Sequence, residues 1–372
     1  MTGGDKRVDN WLEDIWRRGG TDLLLAADAP PMGRLDGSYV PIEGQDVLTG
    51  DDTAAVVEGL LSKALQTTFI DRLQVDFSFT WHRNARVRGN AFMQRGAVSV
   101  ALRIIPLEIP TLADLALPPT AERFASAPSG LVLLTGPTGA GKSTTLASLI
   151  DHVNTHRACH ILTIEDPIEY VHRHRHSVVN QREIGVDAAS FADALRAALR
   201  EDPDVILVGE LRDTESIAAT LTLAETGHLV FGTLHTNDTA QALDRIVDVF
   251  PSDRRDQIQV QLSATLQGVI YQRLVPRIGG GMTAAFEILV ANNAVRNLVR
   301  EGKTRQIRNV VATHQSEGMQ TLEASLSALV AEGIVEHDDA VAVSLHPKEV
   351  AEAPPPPFIP PEPTGRRGRR RG

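Results

Sequence analysis

A single cysteine, Cys159, occurs in 372 residues. One thiol can neither close an intramolecular disulfide nor build a cysteine-based zinc site, so a reducing compartment fits this chain and Cys159 is expected to be a small core residue. No apolar stretch approaches the length that spans a bilayer, and the opening residues Met1, Thr2, Gly3, Gly4, Asp5, Lys6 and Arg7 lack the apolar centre of a signal peptide. The expectation is a soluble cytoplasmic protein that reaches a membrane only through a partner. Positive charge is not in excess either. A formal net charge of -10 argues against a protein that coats nucleic acid, because that task needs dispersed Lys and Arg, although a local basic patch stays open. No internal repeat is visible.

What is present suits a globular protein. Apolar residues make up 42% and charged residues 23%, enough to bury solid cores, and the length points to two domains. Residues 1–104 mix a helical start at 11–18 with alternating segments at 74–79 and 98–104 that predict strands, hence an α+β domain. Pro106, Pro110, Pro118 and Pro119 interrupt regular structure and place a linker over 105–119. Residues 120–345 then show short apolar runs at 131–134, 161–164, 205–208 and 229–234 separated by helical segments, the pattern of a mostly parallel α/β sheet. From about 253 the periodicity predicts a helical subdomain with one short strand at 284–289. The tail, 346–372, carries Pro354 to Pro357, Pro360, Pro361 and Pro363, then Arg366, Arg367, Arg369, Arg370 and Arg371. Such a composition cannot bury apolar surface, and disorder is expected.

Gly136, Pro137, Thr138, Gly139, Ala140, Gly141, Lys142 and Ser143 follow an apolar strand, and Thr144 opens the next helix. This is the Walker A pattern in its proper context. The glycines permit a tight loop whose N–H groups face phosphate oxygens, the helix adds its positive end, Lys142 reaches the β and γ phosphates, and the Ser143 hydroxyl ligates magnesium. ATP and Mg2+ are therefore the expected ligands.

Carboxylates follow two further strands: Glu165 and Asp166 after 161–164, and Glu210 after 205–208. In an open α/β sheet ligands bind beyond the carboxyl ends of strands, which directs these groups at the phosphates. Glu210 is the candidate for activating the attacking water, the alternative being a surface ion pair with Arg212. Gly209 stands where many P-loop enzymes carry a magnesium-linked Asp, so the metal depends on Ser143, the phosphates and Glu165 or Asp166. Glu165 joins the catalytic candidates. Of the two histidines flanking 229–234, His235 lies at the nucleotide end and could contact the γ-phosphate, whereas His228 braces a neighbouring element. His172, Arg173, His174, Arg175 and His176 alternate cation with imidazole, which favours a solvated loop over a metal site.

These segments together resemble the secretion and pilus ATPase superfamily, most closely its PilT-type branch of type IV pilus retraction motors, over residues 12–345. Residues 161–169 look like the Asp box of that family, 204–213 like its atypical Walker B, and 226–236 like its His box. Near the start, Gly20, Thr21, Asp22 and Leu23, and then Pro30, Pro31, Met32, Gly33, Arg34, Leu35, Asp36 and Gly37, are similar too, with Leu24 beside the usual position of a histidine. Ala294, Val295, Arg296, Asn297 and Leu298 resemble the retraction branch's Ala-Ile-Arg-Asn-Leu signature.

The resemblance implies a RecA-like P-loop core behind a PAS-like N-terminal domain, a homo-hexameric ring, a pilus platform protein in the inner membrane as partner, and work at the inner face of the cytoplasmic membrane. It also implies that Arg86, Arg88 and Arg103 approach the γ-phosphate; as plain residues they read equally as strand-surface arginines. The single cysteine excludes the four-cysteine metal site usual in extension and secretion motors. The principal expectation is an ATPase that drives pilus retraction without binding nucleic acid. A pilus assembly or type II secretion motor, a nucleotide-binding accessory subunit that does not hydrolyse ATP, and a DNA-translocating ATPase favoured by the basic tail are the alternatives.

Overall fold

Alternation builds the first half of the chain. In the computed structural model, which describes residues 6–35, 38–81, 85–106 and 108–352, strand Ala85–Gln94 buries Ala85, Val87, Gly89 and Ala91 and leaves the residues between them partly or fully exposed. With α1 (Lys6–Arg17), β1 (Asp22–Leu25), β2 (Met32–Leu35), β3 (Ser38–Pro41), α2 (Gly50–Leu60), α3 (Lys63–Arg72) and β4 (Gln74–Trp81) before it, that strand is β5, and β6 is Ala97–Pro106. The sheet order is β3-β2-β1-β6-β5-β4, with every neighbouring pair antiparallel. Helix α1 presents Val8, Trp11, Leu12 and Ile15, spaced as one helical stripe, to a core that includes Leu23, Leu25, Val87 and Leu102. This is the expected α+β domain. Strand β6 takes the first two residues of the expected linker; Leu112 and Leu117 pack on the second domain, where α4 (Pro119–Ala125) begins.

All four apolar runs named from the sequence are strands: β7 (Gly130–Thr135), β8 (His160–Glu165), β10 (Val205–Val208) and β11 (Leu229–Leu234), joined at the edge by β9 (Val178–Glu183). They lie parallel, in the order β7-β11-β10-β8-β9. Burial on both faces explains why they read as continuous apolar runs. Along β7, Leu131 and Leu133 enter one core while Val132 and Leu134 enter the other. Helices α5 (Lys142–His156), α6 (Phe191–Ala198), α7 (Thr214–Glu225), α8 (Thr239–Asp248) and α9 (Ser252–Thr265) complete the layers.

The region beyond 253 departs from expectation. It contains two long strands, β12 (Leu266–Pro276) and β13 (Met282–Val290), which extend the same sheet on its other side, β12 parallel to β7 and β13 antiparallel to β12. The run Val269, Ile270, Tyr271 is buried on both faces, so it carries no strand period that would separate it from a helix. The C-terminal helices do follow: α10 (Asn293–Arg300), α11 (Ile307–Thr313), α12 (Leu322–Ala331) and α13 (His337–Val343). The Ala294 to Leu298 signature lies in α10, where Val295 is buried and Arg296 Nη1 donates to the carbonyls of Ser263 and Ala264 at 2.7 and 2.9 Å. The packed chain also runs past 345. Val350 joins the core of α12 and α13, and Glu349 pairs with Arg308 at 2.8 Å. Residues 353–372, with the expected proline and arginine tail, lie outside the described residues, as do Asp36 and Gly37.

Glycine matters structurally at Gly268, where an added Cβ would stand 2.1 Å from Phe124 Cζ and 2.6 Å from the Leu289 carbonyl. Gly268→Ala is expected to cost about 1–3 kcal/mol through overpacking, measured by denaturant unfolding.

Candidate active site

The loop between β7 and α5 adopts backbone angles that L side chains avoid: φ is 147° at Gly136, 79° at Gly139 and 82° at Gly141. At Gly136 an added Cβ would meet the Gln272 carbonyl at 2.3 Å, while at Gly139 it would meet nothing within 4 Å. The first glycine thus seats the loop on β12, and the second allows the turn. Gly141 is the N-cap of α5 and offers no side-chain cap, which leaves the first amides of the helix to a ligand.

Lys142 is 7% exposed, and its ammonium donates to the carbonyls of Gly136 at 2.7 Å and Pro137 at 2.9 Å. Burial holds its pKa below the ordinary lysine range, opposed by the charges of Glu210 and Glu169. Its Nζ also lies 3.4 Å from His235 Nδ1, and His235 Nε2 lies 3.4 Å from Glu210 Oε1. Lysine has no acceptor, so Nδ1 accepts and Nε2 carries the hydrogen toward the carboxylate. Arg212 Nε stands 2.5 Å from the same Glu210 oxygen. The ion pair weighed as an alternative for Glu210 therefore exists, and it does not remove Glu210 from the cleft.

These groups line a cleft of about 580 Å³ together with Thr138, Gly139, Ala140, Gly141, Ser143 and Thr144. Glu165 and Asp166 face it from the end of β8. Gly209 lies close against the end of β8: a Cβ there would stand 3.3 Å from both Glu165 Cα and the Ile164 carbonyl, a tight contact. The two glutamates sit in opposed environments. Glu210 is pulled up by burial, but the hydrogen bond and charge of Arg212, joined by the hydrogen bond from His235, outweigh this and leave it below the usual carboxylate range. Burial pushes Glu165 up to about 7 against hydrogen bonds from Thr163 and Gln181.

Arginines enter from the first domain. Arg88 on β5 and Arg103 on β6 are direct cross-strand partners, and both line the cleft. Like charges placed opposite one another disfavour a sheet unless an anion lies between or beside them. Arg103 is partly balanced by Asp22 at 2.7 Å. Arg86 corrects the sequence expectation: it is absent from the cleft lining and is held by Glu183 at 2.9 Å and by the Ser78 hydroxyl at 2.6 Å. Leu24, beside the position of the family histidine, pairs with Met32 and Ala101 within the sheet, away from this lining.

The surroundings suit a magnesium nucleotide. An exposed hydroxyl at Ser143 stands with the carboxylates of Glu165 and Asp166 in one cleft, an all-oxygen donor set of the kind Mg2+ prefers. A family model described as "Type II/IV secretion system protein" matches residues 82–342. The chain belongs to the type II/IV secretion system protein family. It is 46% identical to the type IV pilus retraction ATPase PilT of Pseudomonas aeruginosa, covering 87% of this chain and 94% of that protein. It is 47% identical to a twitching motility protein of Neisseria gonorrhoeae, covering 82% of each. A crystal structure of the pilus retraction motor PilT with bound ADP superposes with a TM-score of 0.86 at 46% identity, covering 92% of this chain and 98% of that one. The retraction-branch resemblance read from the four boxes agrees with these likenesses.

Some of what shapes this family member's site was not found from sequence. Gln272 on β12 is 3% exposed; its Nε2 donates to the Ala140 carbonyl at 2.7 Å, and its Oε1 accepts from Thr145 at 2.7 Å. Tyr170 meets Thr144 at 2.8 Å through their hydroxyls. Two polar residues, Gln272 and Arg273, inside the otherwise apolar stretch 269–275 were the available signal for Gln272. The histidine and arginine cluster divides: Arg173, His174, Arg175 and His176 are exposed as expected, but His172 is buried, lines the cleft, and is pushed down to about 4 by burial and then by the charge of Arg175. His228 braces α7, its Nδ1 lying 2.9 Å from the Leu223 carbonyl, as expected. Cys159 is half-buried against the core behind α5.

Glu165 gives a pH signature. Its pKa is raised on folding, so its contribution to stability is complete below about 4.5 and is lost as pH rises through about 7. Glu165→Gln should therefore gain thermal stability relative to the wild type between pH 5 and 8. Parallel melting-temperature curves for the two proteins over that range would refute this assignment.

Proposed function

We propose that this chain is an ATP-hydrolysing motor that works as a homo-hexamer in the cytoplasm and powers type IV pilus retraction through a platform protein at the inner face of the membrane. The observation that carries the reading is the convergence, in one cleft, of a Walker A loop, the carboxylate Glu210 and the cross-strand arginines Arg88 and Arg103. A glycine turn without a nucleotide has no need of paired arginines from another domain. Similarity to the retraction motor PilT and to a twitching motility protein, each over more than four fifths of this chain, supports the purpose of the motor. Among the described residues no helix is long and apolar enough to cross a membrane, in keeping with attachment through a partner.

In this reading the amides of residues 139–142 and the ammonium of Lys142 hold the phosphates. Ser143, with Glu165 or Asp166, holds magnesium, which when bound neutralises phosphate charge and aligns the γ-phosphoryl group. Glu210, kept ionised by Arg212 and His235, accepts a proton from the attacking water at its carboxylate. The Nε2 hydrogen of His235 orients that carboxylate, and the short path from His235 to Lys142 ties its position to phosphate occupancy. Arg88 and Arg103 stabilise charge on the equatorial phosphoryl oxygens. Burial holds the Glu165 pKa near 7, so its protonated and ionised forms coexist near neutral pH.

Glu210→Gln in the purified full chain is expected to bind ATP with near-normal affinity while phosphate release falls by about 10²–10⁴. Lys142→Ala should instead lose nucleotide affinity. Normal turnover in the Gln variant would take Glu210 out of the chemistry, and a wild type that binds ATP without releasing phosphate would leave a nucleotide-binding subunit in place of a motor.

A further inference from the structure

Arg86 stands one pleat from Arg88, on the same face of β5, yet it is spent elsewhere. Its Nη2 donates to Glu183 Oε2 at 2.9 Å, and both side chains are largely buried. Glu183 closes β9 in the other domain. The same Oε2 accepts the backbone N–H of Ile168 at 3.2 Å. Ile168 belongs to the loop that carries Glu165 and Asp166 into the nucleotide cleft. One carboxylate oxygen thus ties the first domain to the backbone of the catalytic loop.

Two residues earlier on β9, Gln181 holds the rest of that loop. Its amide donates to Glu165 Oε1 at 3.2 Å and to the Tyr170 carbonyl at 2.8 Å, and its oxygen accepts the His172 N–H at 2.8 Å. The Tyr170 hydroxyl then meets Thr144 in the first turn of α5. Hydrogen bonds joined by short stretches of backbone lead from Arg86 through β9 and the loop to the Walker A helix. Beside the pair, a second cleft of about 560 Å³ opens between the domains, lined by Arg88, Asp166 and Glu183 among others. The Arg86 to Glu183 pair therefore bridges the domains at the rim of a gap. The guanidinium engages end-on, and its Nε is buried without a partner. Such a contact is less tightly satisfied than a bidentate one, which leaves it able to part and re-form as the domains shift.

We propose that Arg86 and Glu183 are a positioning pair: the N-terminal domain, through Glu183, sets the loop that places Glu165 and Asp166, so that catalysis depends on where that domain sits. This rests on the ATPase reading of the cleft. Neither residue touches the nucleotide in this scheme, so their loss should lower turnover without lowering affinity. Losing either partner breaks the same link, so the second substitution should add nothing.

The test uses the full-length protein with Arg86→Gln, Glu183→Gln and both together; the amides keep donors and acceptors in place and protect folding. Backbone hydrogen exchange over residues 165–172 should accelerate by ~10-fold in each variant, including Arg86→Gln, whose change lies in the other domain. Turnover should fall by ~10-fold while the dissociation constant for a fluorescent ATP analogue stays within about twofold, and the double variant should match the worse single one. The proposal is overturned if Arg86→Gln leaves loop exchange at the wild-type level, if affinity falls as far as turnover, or if the two losses multiply. A wild type with no phosphate release would sink the ATPase reading alone, and the exchange measurement would still decide the pair.

Discussion

The site depends on a backbone that only glycine tolerates, braced by one amide from a distant strand. Gly136 and Gly141 hold the loop at positive φ, and Gln272 grips it from beneath by binding the Ala140 carbonyl and the Thr145 hydroxyl. With the lower side of the loop satisfied by the protein, and Ala140 N–H donating to the Pro137 carbonyl, the start of α5, which has no side-chain cap, is left to an anion. The brace needs β12 in parallel register beside β7. That is why the sheet extends on the β7 side, and why Gly136 must lack a side chain where the Gln272 carbonyl approaches it.

Charge is arranged on that frame with little slack. A chain with net charge -10 gathers Lys142, Arg88, Arg103 and Arg212 around one cleft. Two of these arginines face each other across β5 and β6, a like-charge pair that Asp22 balances only in part and that an anion in the cleft would relieve. The carboxylates divide the remaining work. Glu210 is held ionised by its neighbours, while Glu165, buried and hydrogen-bonded, is poised near neutrality; two like groups in contrasting surroundings can serve different steps. Local rules for a good sheet are broken here, and they are broken where a ligand can repay the cost.

The parts of this arrangement that are local in sequence were legible in it. The Walker A loop, the four strands around it and the carboxylates at their ends follow from short apolar runs and from the residues just after them. The direction of Glu210 and His235 followed from their place directly after apolar strands, at the carboxyl ends where ligands bind. What escaped depended on distance along the chain. Strand β12 looked helical because burial on both faces erased its period, and Gln272 was hidden with it. Arg86, Arg88 and Arg103 were indistinguishable as exposed strand cations. Cross-strand register puts Arg88 opposite Arg103, and only the packing of β9 against the first domain diverts Arg86 to Glu183. Val350 and the Glu349 to Arg308 pair show the same limit at the other end, where composition near the proline-rich tail concealed a packed segment.

A motor needs its chemistry to change a force between parts that can move. Here the cations that line the cleft are divided between two domains with separate cores, Lys142 in one and Arg88 with Arg103 in the other. On the proposed reading, a triphosphate between them supplies the anion that holds like charges together across the cleft. Release of the terminal phosphate removes that anion, and the repulsion among lysine and arginines returns, screened in part because Arg88 and Arg103 are exposed to solvent. The domains then gain by separating, and the Arg86 to Glu183 bridge at the edge of the gap is the contact that would register the motion. Energy from hydrolysis would thus become displacement through the loss of a shared counter-charge, with each domain moving as a rigid body about a short connection.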